Sequence, residues 1–187
     1  LWIVLGILGG GVLMSLACAL GGFFIFRNSF SANREDVVGL AHTIADWDIP
    51  EYWRPAMSMS MFGVRMAMFN GDQGRGAFVL VDAMEEVRKE REAFEDEMRV
   101  KINQKMNRQM QSERETEVKS YTDEFQINGA AEEMDVKITK GALTGEQYIE
   151  VSGSFQGKQR LAFVFIKAPE NEFGEEQIRA MFASAAP

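Results

Sequence analysis

AFVLVDA at Ala77–Ala83 and AFVFIKA at residues 162–168 are the two stretches on which the fold turns. Each is an almost unbroken apolar run of strand length, the pattern of a strand at the centre of a sheet. Their likeness, one late in each half of the chain, predicts an internal duplication. Other strings recur in the same order. Met57-x-Met59-x-Met61 matches Met134-x-Val136-x-Ile138, and GVRMAMFNG at 63–71 matches GEQYIEVSG at 145–153 in the spacing of its glycines. DWDI at 46–49 matches EFQI at 124–127.

Working outward, residues 35–46 place Val37, Val38, Ala41, Ile44 and Ala45 at helical spacing, with Glu35 and Asp36 in the first turn. Pro50 and Pro55 end that pattern, so residues 48–55, DIPEYWRP, form an aromatic loop. Strands are predicted over 57–61 and 64–69, with a turn at 70–74. From Met84 to about residue 120 there is no Gly or Pro, and Val87, Phe94, Met98, Ile102, Met106 and Met110 form one apolar stripe. With Glu115/Lys119 among its i,i+4 pairs, this predicts a long amphipathic helix. A closing helix is predicted over 175–183. The expected fold is α+β, two helix–β–β–β units sharing one mainly antiparallel sheet of six or seven strands, with helices on one face. Repeat one covers about 35–90, the long helix about 84–120, and repeat two about 120–184. Phe94 and Met98 should cover Phe78, and Ile178 and Phe182 should cover Phe163.

Residues 1–26, LWIVLGILGGGVLMSLACALGGFFIF, carry no charge and are long enough to cross a bilayer as a transmembrane helix. The run is longer than the apolar core of a cleaved signal peptide. It also continues past Cys18, where a lipoprotein signal would end. Residues 27–34 then read as a linker, and 35–187 as the soluble domain. Gly6, Gly10, Ala17 and Gly21 repeat a small-xxx-small spacing that suits homodimerisation of a single-pass span. The soluble domain is expected to lie outside the cytoplasm. The anchor and the passage from DIPEYWRP into a strand resemble uncharacterised single-span bacterial membrane proteins with a small α+β soluble domain. That resemblance implies a membrane location and an α+β domain, and brings no catalytic residues.

The net charge of −8 argues against nucleic acid as a partner. The single cysteine, Cys18, sits in the apolar run, so no intramolecular disulfide can form. Met57, Met59, Met61, Met66 and Met68 offer thioethers that suit Cu(I), but the matching string carries Val136 and Ile138, which points to packing. His42 is the only histidine and makes a weak metal site or base by itself. The glycines of 71–76 and 153–159 lack phosphate-loop spacing and precede strands, so both read as hairpin turns. No catalytic, metal or cofactor set emerges. The candidates for contact with a partner are Trp47, Tyr52, Trp53 and Arg54, either as an exposed anchor or as a plug at one end of the sheet. The expectation is a membrane-tethered, non-enzymatic binding or scaffolding module. The alternative is a carrier or sensor of a small apolar ligand, held between sheet and long helix in a cavity lined by Met57, Met59, Phe78 and Met98.

Overall fold

The first helix starts where a cap is available. The Asn33 side chain accepts a hydrogen bond from the Glu35 backbone N–H at 3.1 Å, and α1 (Arg34–Ile44) follows with Glu35 and Asp36 in its first turn. Val37, Ala41 and Ile44 form its buried stripe. The structure, a computed structural model, describes residues 29–61, 63–83, 100 and 115–184. The apolar run 1–26, its Gly6, Gly10, Ala17 and Gly21 stripe, and Phe94 and Met98 lie outside the described residues. No helix among the described residues is long and apolar enough to cross a membrane.

The strands are β1 (Phe30–Ser31), β2 (Arg54–Met61), β3 (Val64–Asn70), β4 (Ala77–Ala83), β5 (Glu115–Ile127), β6 (Ala130–Gly141), β7 (Gln147–Gln156) and β8 (Leu161–Pro169). Helix α2 (Glu175–Ala183) closes the described chain. They form one antiparallel sheet in the order β1-β2-β3-β4-β8-β7-β6-β5. The two apolar runs are neighbours at its centre, with Leu80 opposite Val164, and every residue of β4 and β8 is buried. One α+β domain with one antiparallel sheet is therefore the observed class.

Among the described residues the sheet has eight strands, against the six or seven expected. One addition is β1, in the expected linker, where Phe30 pairs with Met59. The other is β5, which takes residues 115–120 from the predicted long helix. There Thr116, Val118, Tyr121, Phe125 and Ile127 favour a strand, and the last three alternate inward. That outweighs the helical Glu115/Lys119 spacing. The second half thus holds four strands, β5–β8, where three were expected, and the rest of the predicted long helix, apart from residue 100, lies outside the described residues.

The residue matches also fail a test of parity. Phe78 lies opposite Ile166, whereas Phe163 lies opposite Val81, so the two phenylalanines point to opposite faces. Side chains alternate along a strand, and an odd offset exchanges the faces. Phe78 joins Phe69, Leu80, Val164 and Ile166 in the larger core, together with Val37, Ala41 and Ile44 of α1 and Ile178, Met181 and Phe182 of α2. Both described helices therefore lie on that face. Phe163 belongs to a second cluster on the other face, with Val79, Val81 and Phe165. Ile178 and Phe182 thus pack in the cluster of Phe78, not over Phe163. Met57 and Met59 pair with Met68 and Met66, whose face is that of the second cluster, so they cannot line a cavity with Phe78.

The β3–β4 hairpin turns as predicted, with the Gly71 N–H donating to the Gly76 carbonyl at 3.1 Å. Gly76 has φ of 130°, and a Cβ there would meet the Lys167 carbonyl oxygen at 2.7 Å. Gly76→Ala is expected to cost about 1–3 kcal/mol, as a shift of the urea midpoint without a change of slope. In the other half Gly153 is inside β7, and the turn falls at 157–160, where the Gly157 N–H donates to the Arg160 carbonyl.

Helix α2 is tied to β5 by polar groups. The Tyr121 hydroxyl donates to Glu175 at 2.7 Å, and Arg179 pairs with both Glu175 and Asp123. Burial pulls the Glu175 carboxyl up, but hydrogen bonds from Tyr121 and Arg179 outweigh it and hold the pKa below its ordinary value. Tyr121 is pushed up to about 12, first by burial and then by its bond to Glu175. A lowered acid stabilises the fold above its unfolded pKa and loses that contribution as pH falls through the folded value. A raised tyrosine contributes fully below 10.0 and loses it as pH rises toward about 12. Stability should therefore decline at both extremes, and Tyr121→Phe should flatten the alkaline limb in melts recorded from pH 8 to 12.

Candidate binding cleft

The loop between α1 and β2 is held at several points. The Asp48 N–H donates to Ser184 Oγ at 2.8 Å, the Lys158 N–H donates to the Ile44 carbonyl at 2.9 Å, and Lys158 Nζ pairs with Asp46 at 3.1 Å. Pro50 then turns the chain, and its carbonyl accepts from the Trp53 N–H at 2.9 Å. Tyr52 stacks on Phe173 with centroids 5.2 Å apart and meets Trp53 edge-on at 4.8 Å. Its hydroxyl donates to the Arg75 carbonyl at 2.7 Å. Burial, then the nearby Glu172 charge, raises the Tyr52 pKa far above its usual value, so the hydroxyl stays a donor.

The four sequence candidates do not share one role. Trp47 is 1% exposed, with ring centroids 5.0 Å from Phe155 and 4.7 Å from Phe182, and it also stacks on Phe78. It is a plug in the core and cannot anchor a partner. Tyr52 is half-buried and Arg54 is exposed, where it pairs with Asp72. Trp53 is 3% exposed, yet it and Arg54 line a cleft.

That cleft lies between α1 and the aromatic loop and encloses about 590 Å³. Val38, Ile49, Pro50, Pro55 and Phe69 give it apolar walls. Arg34, Asp48, Glu51 and Arg54 supply charge, and His42 contributes from α1. Trp53 Nε1 is buried with no hydrogen-bond partner among the described residues, a costly state for an N–H donor. No ion pair joins Arg34, Asp48 or Glu51 to another described residue, whereas Arg54 is held by Asp72. Among the described residues no group of three His, Cys, Asp or Glu could hold a metal ion; His42 Nδ1 lies 3.5 Å from Asp46 alone. The arrangement can bind an amphiphilic group, and it places no nucleophile beside a base.

Comparison of the sequence with models of known protein families and with curated proteins finds no match. Of the four sequence candidates Trp53 and Arg54 line this cleft, and sequence reasoning did not single out Arg34, Val38, Asp48 or Glu51 beside them. On a helix or loop these are ordinary surface residues, and only the packing of α1 against β2 and β3 brings them to one opening.

Proposed function

We propose that the chain is a membrane-tethered binding or scaffolding module without catalytic chemistry of its own, its folded domain outside the cytoplasm. The observation that carries this reading is the cleft of about 590 Å³, which falls in the size range of small-molecule and anchor-residue pockets. The tether is residues 1–26, and pairing of two copies through Gly6, Gly10, Ala17 and Gly21 would present two clefts. A carrier or sensor of a small apolar ligand is the second reading, favoured by the apolar walls and placed in this cleft. We also propose that β2-β3-β4 and β6-β7-β8 descend from one β–β–β unit. The strand order supports this, since each set runs inward to the β4–β8 contact.

A photo-crosslinking residue at Val38, in the full chain in its native membrane, tests the site. A discrete adduct is expected from Val38 and none from Leu143, which is 88% exposed and away from the cleft. No adduct at Val38, or the same adduct at both positions, would remove the cleft from the account.

A further inference from the structure

The cleft brings a buried indole N–H together with exposed charges of both signs. Trp53 is almost wholly buried and its indole N–H has no acceptor among the described residues. Arg34 on α1, and Asp48 and Glu51 on the loop, are exposed and carry opposite charges that form no ion pair with another described residue. Arg54, the other cation there, is already engaged with Asp72. Val38, Ile49 and Pro50 line the same cleft and would welcome an apolar body. We propose that the cleft binds a zwitterion joined to an apolar body. Its anion accepts from Trp53 Nε1 and Arg34, and its ammonium faces Glu51 and Asp48.

A simple anion would meet the repulsion of the two carboxylates, and a simple cation would meet that of Arg34 and leave the buried indole N–H without an acceptor. A molecule with both charges meets the indole N–H and both signs of charge. Such chemistry has two sources, an apolar amino acid in solution or the headgroup of a zwitterionic lipid. The second is within reach because Arg34 follows the apolar run 1–26 by only a few residues. This inference rests on the cleft being the binding site.

The test uses the indole N–H of Trp53 as a nuclear magnetic resonance probe in the full chain, assigned by its loss in Trp53→Phe. In detergent micelles, leucine should move the Trp53 signal and leave that of Trp47 unmoved; acetate should move neither. Arg34→Gln and Glu51→Gln alter exposed side chains, and each should weaken leucine binding about tenfold or more, the loss expected for one charge-assisted contact. In nanodiscs, phosphatidylethanolamine against phosphatidylglycerol replaces leucine as the probe. A response to the lipid alone assigns the site to the membrane, and a response to leucine alone assigns it to a solute; either supports the zwitterion. A Trp53 signal unmoved in every arm, or moved equally by acetate, overturns it. Val38 adducts alongside an unmoved Trp53 signal would leave the binding site standing and sink the zwitterion alone.

Discussion

Trp47→Ala is expected to destabilise the domain by about 3–5 kcal/mol, the range for emptying a buried aromatic site. The ring touches Phe78 of β4, Phe155 of β7 and Phe182 of α2, so it joins parts of the chain that are far apart in sequence. None of these neighbours can close the gap easily, because each is fully buried in its own contacts. Domains are stable by only ~5–15 kcal/mol, so the variant should lose a large share of its margin. Trp47→Phe keeps much of the volume and should cost less. Urea denaturation of both variants in the full chain checks the prediction, and the loss should appear in one transition. If Trp47→Ala melted like the native chain, the residue would not be the plug described here.

The second large effect is expected at Arg65, which lies opposite Asp82 on β3 and β4. Asp82 is 1% exposed, and its carboxylate accepts from Arg65 Nε at 2.9 and 3.2 Å and from the guanidinium Nη2. Removing the arginine leaves a buried carboxylate with no counter-charge in place. Breaking a buried pair in this way costs about 3–5 kcal/mol, so Arg65→Leu should melt far earlier. Replacing both partners is different, because the uncompensated charge is gone. The double variant Arg65→Leu/Asp82→Leu should recover most of the loss. A double variant as unstable as Arg65→Leu would show that shape, not charge, dominates at this pair.

How far the sequence could be read depended on where each element is buried. The centre of the sheet was legible because AFVLVDA and AFVFIKA are apolar on both sides. For the same reason the facing of β4 and β8 was not. A strand covered on both faces has no alternation, so a string can be matched one residue out of phase without any visible fault. That is how Phe78 and Phe163 came to be equated although they face opposite ways. Strand β5 was hidden by its charges, since Glu115 and Lys119 fit a helix as well as a twisted edge strand. The aromatic loop stood out through its prolines, but burial sorted its members. Trp47 went into the core, Trp53 into a cleft wall, and only Arg54 fully into solvent. The cleft rim could not be read, because residues such as Arg34 and Glu51 become neighbours only through the fold.

The claim on which all of this rests is that the two halves form one sheet across β4 and β8. Loop, plug and cleft are all built on that shared core. Hydrogen exchange of the full chain, followed amide by amide under increasing urea, tests it most directly. The account predicts that Leu80 and Val164, and the amides around them, exchange last and at one common free energy. Slow exchange confined to one half, with β4 and β8 opening at separate free energies, would contradict it.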